Sequence, residues 1–326
     1  MILIDKNTLR TQMNRYGQER TPFLWAASYN LEKCFLITDL DSQNEILWQV
    51  GSYGNTPALP QNSTSPELRI KKPVSRKEYA EMFSVVMQGL KRGDSFLTNL
   101  TAATEVECTG SLTDVFCNSS APYRLMIPGE FVCFSPEPFV RIENSLISTF
   151  PMKGTADASL PDAEVSLMSD YKELCEHYTI VDLMRNDLNS VVSDVRVARF
   201  RYIEEIATSS GSILQTSSEI CGTIPQHLSY RFGDIILPML PAGSITGAPK
   251  QATLRLIDNA ETCPRGWYTG VFGYFDGLRM QTAVMIRCLQ YSSSGRLFFH
   301  SGGGITVNSS EDDEYAELMA KVYLSK

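Results

Sequence analysis

Gly270-Val271-Phe272-Gly273-Tyr274-Phe275-Asp276-Gly277-Leu278-Arg279-Met280-Gln281-Thr282-Ala283-Val284-Met285-Ile286-Arg287-Cys288-Leu289-Gln290-Tyr291 is the stretch that decides the fold. Two apolar runs, 270–276 and 280–291, meet at Asp276-Gly277. That dipeptide is a tight-turn signal between strands, so the pair predicts an antiparallel hairpin. Downstream, Arg296–Phe299 reads as a short strand leading into Gly302-Gly303-Gly304, and a last helix is expected over 311–324. Upstream lie a helix over 249–260, strands at Val195–Tyr202 and Ser212–Ile224, and a long helix over roughly 161–188 with Asp162 near its start. Phe131–Phe134 and Phe139–Ile142 read as strands around the turn Ser135-Pro136-Glu137. Ser75 followed by Glu78 predicts a capping box, with a helix to about Leu90 that stops at Gly93; Phe96–Glu107 then reads as a strand. Ser28–Ile37 suggests strand, turn, strand, and 57–66, with Pro57, Pro60 and Pro66, a loop or linker. Helices and strands mix without a regular strand–helix–strand repeat, which predicts α+β with large antiparallel sheets.

Composition narrows the function. The chain has 326 residues, 43% hydrophobic, enough for a sizeable core in one or two domains. Its net charge is −8 and no Lys/Arg run with interleaved aromatics occurs, which argues against a nucleic-acid partner. An anionic substrate would need local positive groups or a metal to offset that field. Eight cysteines include no C-x-x-C pair, so neither a zinc site nor a disulfide framework is expected. No stretch approaches a membrane span and the first residues show no targeting pattern, so a cytoplasmic protein without membrane contact is expected. With only His177, His227 and His300, the chemistry is expected to fall to Lys, Glu, Arg and backbone groups.

Lys153 lies in Pro151-Met152-Lys153-Gly154-Thr155, so proline and glycine aim its amine; Glu137 precedes it in Ser135-Pro136-Glu137. An amine near a carboxylic acid can act as a nucleophile beside a general acid; a solvated loop lysine is the alternative. Glu173 and Glu176, and Glu314 and Glu317, are each three apart on predicted helices, so each pair points two carboxylates one way. Two such faces meeting would call for a hard cation such as Mg²⁺; four solvated surface glutamates are the alternative. Gly243-Ser244-Ile245-Thr246-Gly247-Ala248-Pro249-Lys250 is a flexible loop entering a helix, with Pro249 suited to the first helical position, free N–H groups for an anion and Lys250 adding charge. It is not a Walker A sequence. Gly302, Gly303 and Gly304 could present further N–H groups. Arg287, within an apolar strand, needs an acidic partner, either a ligand carboxylate or a structural salt bridge.

From about residue 75 to the end these motifs resemble the chorismate-utilising enzymes, which include the large subunit of anthranilate synthase. The matching pieces are Ser135-Pro136-Glu137, Ile180-Val181-Asp182-Leu183-Met184-Arg185-Asn186-Asp187-Leu188, the 243–250 loop, Tyr268-Thr269-Gly270 with Gly273-Tyr274, Arg287 and the triple glycine. The resemblance implies two large antiparallel sheets packed as a sandwich with flanking helices. It also implies one structural unit, in which 1–66 is an abbreviated N-terminal segment contributing strands to the core and 67–326 is the chorismate-binding catalytic region. Within the family, Pro-x-Lys-Gly-Thr is similar to the aminodeoxychorismate synthase form; anthranilate synthases, the alternative, carry alanine at Lys153. A non-catalytic chorismate-binding subunit would have no use for a nucleophile.

By resemblance, Lys153 attacks C2 of chorismate while Glu137 protonates the departing 4-hydroxyl. Ammonia from a separate glutamine amidotransferase subunit then adds at C4, giving 4-amino-4-deoxychorismate on the route to p-aminobenzoate and folate. Glu176 and Glu317 match Mg²⁺ ligands, with Glu173 and Glu314 as outer partners. Arg287, Tyr268, Thr246 and the glycine backbone match positions that hold the substrate carboxylates. Leu97 stands where isochorismate and salicylate synthases use a lysine base, and Gln215 where many relatives carry histidine. No Leu-Leu-Glu-Ser motif for tryptophan occurs, so tryptophan feedback is not expected.

Overall fold

A computed structural model describes residues 2–57, 65–208 and 211–324. Most of the 57–66 loop lies outside them. The chain opens with α1 (Lys6–Gln18), β1 (Phe23–Ala27), β2 (Cys34–Ile37), β3 (Leu47–Val50) and β4 (Tyr53–Gly54). Next come β5 (Leu68–Lys72), α2 (Arg76–Arg92), β6 (Leu97–Cys108), α3 (Leu112–Asn118), β7 (Tyr123–Ile127) and β8 (Phe131–Ser135). Then follow β9 (Pro138–Glu143), β10 (Leu146–Thr149), β11 (Met152–Asp157), α4 (Ala163–Ser169), α5 (Tyr171–Asn189), β12 (Ser193–Thr208) and β13 (Gly211–Thr223). The last part holds α6 (Phe232–Ile236), β14 (Gly247–Ala248), α7 (Lys250–Ala260), β15 (Val271–Phe275), β16 (Met280–Val284), β17 (Cys288–Tyr291), β18 (Leu297–Ile305) and α8 (Glu311–Ala320).

Two antiparallel sheets carry the fold. One runs β2-β1-β15-β16-β9-β10-β13-β11 with β12 also on β13; the other runs β4-β3-β7-β8-β17-β18-β6-β14 with β5 also on β6. β1 shows how they pack. Its five residues are all buried. Phe23, Trp25 and Ala27 face a cluster under α1, α5 and α6, whereas Leu24 and Ala26 join Trp48, Leu125 and Phe131 of the other sheet. Side chains alternate along a strand, so a wholly apolar one is covered on both faces. Helices α2, α7 and α8 cover the outer face of β6 and β18. This is the two-sheet α+β sandwich that the motifs imply, and segment 2–57 supplies β1 and β2 to one sheet and β3 and β4 to the other.

Local signals place several element ends. Ser75 caps α2 by accepting from the Glu78 N–H at 3.1 Å, and Gly93 ends it at φ 83°. The capping box is half formed, because the Glu78 carboxylate accepts the Thr262 hydroxyl at 3.0 Å. The 161–188 helix is two helices. Asp170 is extended and accepts the Glu173 N–H at 3.0 Å, so it caps α5 and separates it from α4. The 311–324 helix stops at Ala320.

Two departures shape the site. β15 and β16 form the expected hairpin, with Asp276 accepting the N–H groups of Leu278 and Arg279. The strand expected to run to 291, however, ends at Val284, because the chain leaves one sheet for the other. Arg287, at φ 54°, therefore sits in a crossover and not inside a strand. Ser135-Pro136-Glu137, earlier in the chain, is the first crossover of the pair, from β8 in one sheet to β9 in the other, and Arg287 lies in the second. The two run side by side: the Phe134 N–H donates to the Arg287 carbonyl at 3.0 Å and the Val284 N–H to the Glu137 carbonyl at 3.1 Å. Where both chains swing between sheets, the sandwich opens into a wedge.

Candidate active site

That wedge is a cavity of about 210 Å³. Glu137, Lys153, Tyr268, Arg287, Gly302, Gly303, Gly304 and Glu317 line it, together with Ser244, His300 and Lys321. Three cations, Lys153, Arg287 and Lys321, outnumber its two carboxylates, so the cavity suits an anion although the chain is acidic.

Glu137 comes from the first crossover. The residue is half-buried, but its carboxyl is enclosed, and Ser244 Oγ donates to its Oε1 at 2.7 Å. Burial pushes its pKa above the usual carboxylate range, opposed by the Ser244 hydrogen bond and the Lys153 charge. A carboxyl so placed keeps its proton more readily, as a general acid requires.

Lys153 lies on β11, beside a bulge at Gly154 with φ 77°. Its Nζ is 3.5 Å from the Glu176 carboxylate. A second cavity of about 340 Å³, walled by Phe96, Leu97, Tyr171 and Cys175, also reaches Lys153 and Glu176. The amine thus stands between two openings. Nearby, His177 Nε2 and Ser218 Oγ are 2.6 Å apart, and burial, then Arg201 and Lys153, hold His177 down at about 4, a neutral imidazole. Gln215 faces Thr155 and Glu204 across β13 and is not among the cavity-lining residues.

The second crossover brings Arg287, half-buried, with its guanidinium 4.8 Å from the Tyr323 ring and Nη1 donating to the Lys321 carbonyl at 3.5 Å. No carboxylate partner of the kind sequence reasoning asked for stands against it among the described residues. Tyr268 is buried, its ring 5.1 Å from His300, and burial raises its phenol.

The triple glycine is a strand, not a loop. Gly302, Gly303 and Gly304 pair with Thr101, Leu100 and Asn99 on β6. Asn99 and Thr101 donate their N–H groups away from β18, to the Thr246 carbonyl at 2.7 Å and the Glu261 carboxylate at 2.9 Å. Their partners Gly304 and Gly302 therefore point N–H and C=O away from β6, toward the edge that β17 has left. Lys321 Nζ donates to the Gly302 carbonyl there at 2.7 Å. Missing side chains also matter. A Cβ on Gly303 would stand 3.2 Å from Glu314 Oε2, and one on Gly304 3.8 Å from Lys153 Nζ.

Two residues expected at the substrate lie elsewhere. Thr246 is fully buried and its hydroxyl donates to the Ala242 carbonyl at 2.9 Å. Lys250 Nζ pairs with Asp187 at 2.7 Å and donates to the Met239 carbonyl at 2.8 Å. Pro249 is the extended residue before α7, not its first helical residue. The members of this loop that line the cavity are Ser244 and Ile245, which the sequence motif contains but does not single out. The buried pair Arg265–Glu261 was missed altogether; Arg265 donates to the carbonyls of Ile245 and Asn99, fixing two cavity walls.

Of the four glutamates, on two helices, Glu317 lines this cavity and Glu176 the second one. A Cβ on Gly154 would stand 3.0 Å from Glu173 Oε2, so glycine makes room for that carboxylate as it does at Gly303. Glu317 pairs with Lys321 at 2.6 Å and Ser309 donates to Glu314 at 2.7 Å. Among the described residues, no group of three or more His, Cys, Asp or Glu is gathered closely enough to hold a metal ion. The donor type nevertheless fits a hard cation.

The chain matches the model of the chorismate binding enzyme family over residues 10–325. It belongs to that family. An uncharacterized PabA-like protein of Haemophilus influenzae is 46% identical over 96% of this chain and 95% of its own length. Aminodeoxychorismate synthase component 1 of Escherichia coli is 33% identical over 76% of this chain, which spans 57% of that relative. Among solved structures, anthranilate synthase component I of Streptococcus pneumoniae superposes with a TM-score of 0.66 at 29% identity, covering 78% of this chain and 58% of that one. The menaquinone-specific isochorismate synthase of Escherichia coli, at 14% identity and a TM-score of 0.74, covers 98% and 82% and shares the fold. The family member described here is a chorismate-utilising enzyme, and no helix among its described residues is long and apolar enough to cross a membrane.

Proposed function

We propose that this family member converts chorismate and ammonia to 4-amino-4-deoxychorismate, the activity named for its Escherichia coli relative. One observation carries the reading: Lys153 and Glu137, a carboxyl whose pKa burial raises, line one cationic cavity. Arg287 and the N–H groups of Gly302 and Gly304 suit the substrate carboxylates. Lys153, once neutral, forms a bond to C2. Both ring double bonds shift by one position, the 4-hydroxyl departs, and Glu137 gives it a proton so that it leaves as water. Hydroxide is a poor leaving group, which makes that proton decisive. Ammonia then adds at C4 and loses a proton, both double bonds return, and the Lys153 amine is expelled.

Glu176 and Glu317, backed by Glu173 and Glu314, would hold Mg²⁺, which supplies positive charge to a substrate carboxylate. Lys153 and Lys321 sit against Glu176 and Glu317 in this structure, so the ion would compete with those ion pairs. The ammonia would come from a glutamine amidotransferase subunit, in the cytoplasm.

The test is product analysis with chorismate, ammonium and Mg²⁺, followed by a separate lyase. The expected final product is p-aminobenzoate; anthranilate or isochorismate as the main product overturns the assignment. Lys153→Ala is expected to lose at least ~10³-fold in turnover while still binding chorismate, read by calorimetry. Wild-type turnover in that variant removes the nucleophile role.

A further inference from the structure

The segment Gly243–Lys250 reads as an anion-binding loop in sequence, yet the Thr246 hydroxyl bonds the Ala242 carbonyl and Lys250 pairs with Asp187. Asp187 grips both ends of the segment. Its Oδ2 accepts the Gly243 N–H at 3.0 Å and its Oδ1 pairs with Lys250 Nζ at 2.7 Å. Between those ends, Gly247 and Ala248 are stitched to Thr98 and Leu97 of β6, and Arg265 donates to the Ile245 carbonyl. The segment is thus tied at both ends and in the middle, and its side-chain hydrogen bond to a reacting group among the described residues is from Ser244 Oγ to Glu137 Oε1.

We infer that Ser244, held by the Asp187–Lys250 clamp, is a positioning residue that decides which oxygen of Glu137 carries the proton. The inference rests on Glu137 being the general acid. A hydroxyl donating to Oε1 makes that oxygen the carbonyl one and leaves the proton on Oε2. When the substrate C–O bond breaks, its electron pair goes to oxygen, Oε2 delivers the proton, water departs and Glu137 becomes a carboxylate. The Ser244 bond is then charge-assisted and stronger than before. An interaction that strengthens only as the proton moves raises kcat and leaves substrate binding alone.

The experiment is a double-mutant cycle on the full-length enzyme with ammonium as nitrogen source. Ser244→Ala is expected to lower kcat about 10- to 100-fold, part of the range for general acid catalysis, with KM for chorismate within about twofold. Ser244→Thr, which keeps a donor, is expected to recover most of the rate. Should the alanine variant melt early, Ser244→Cys, a weak donor of similar size, gives the same comparison with a smaller loss. In a Glu137→Gln background, Ser244→Ala is expected to cost less than about twofold, because the group it positions is gone. If Glu137→Gln keeps the wild-type kcat, the acid assignment fails and the inference with it. If Glu137→Gln is slow, but removing the Ser244 hydroxyl leaves kcat unchanged, raises KM alone, or slows both backgrounds equally, the positioning role alone is overturned.

Discussion

The segments Gly243–Lys250 and Gly302–Gly304 look alike in sequence, and both approach the same cavity, but they work in opposite ways. In the first, glycine serves the backbone. Gly247, at φ 140°, has its Cβ direction blocked by the Leu97 carbonyl oxygen at 1.8 Å, and the residues around it are tied to Asp187 and β6. In the second, Gly303 and Gly304 serve the cavity, where Glu314 and Lys153 lie against a strand stripped of side chains, while Gly302 admits the Leu100 carbonyl oxygen at 2.5 Å from its Cβ direction. Two glycine-rich stretches thus separate into a clamp and a clearance. Glycine marks a close approach and leaves open what does the approaching.

Substitutions grade that contrast. Gly247→Ala forces an L-residue into a left-handed conformation against a backbone oxygen, and is expected to cost more than about 3 kcal/mol, seen as insoluble or unfolded protein by circular dichroism. A soluble variant melting like wild type would mean that the segment is not a clamp. Lys250→Met leaves Asp187 without its cation. The expected loss is about 2–3 kcal/mol, below that of a fully buried pair because both partners are partly exposed, measured by urea unfolding. An unchanged midpoint would return Lys250 to the candidate ligands. Gly304→Ala meets only the flexible end of Leu97 at 3.0 Å and Lys153 Nζ at 3.8 Å. It is expected to fold normally and to lose about tenfold in turnover, roughly 1.4 kcal/mol. A change in melting without one in turnover would make the glycine strand structural after all.

The smallest effect concerns Glu137. Its folded-state pKa is raised, so the stability it contributes is present below the ordinary carboxylate pKa and fades as pH rises through the folded value. Glu137→Gln keeps an acceptor for Ser244 and cannot ionise. Its melting temperature is expected to exceed the wild type by one or two degrees at about pH 8, with the difference vanishing near about pH 4. A variant less stable than wild type at pH 8 would show that Lys153 and Ser244 stabilise the carboxylate more than burial penalises it.

Much of the fold is legible because its signals are local. Ser75 and Gly93 bound α2, and Asp276-Gly277 turns a hairpin, through contacts a few residues apart. The candidate nucleophile, acid and glutamate pairs were also readable, since their motifs travel as contiguous words. The sequence showed less of the helix break at Asp170, because the capping carboxylate sits inside an otherwise helical pattern. It also did not show the part played by Ser244, whose partner Glu137 lies on a distant crossover.

Amino-acid order alone determined that strands and helices mix, that Lys153 follows Glu137, and that glycine clusters mark close approaches, since these depend on side-chain volume, periodicity and turn geometry. Only the tertiary structure decided that 280–291 breaks so Arg287 can cross between sheets, that Lys250 serves Asp187, and that Gly302–Gly304 is the open edge of a strand. Those outcomes follow from how two sheets diverge and which distant groups then need a partner, and no local pattern of residues encodes them.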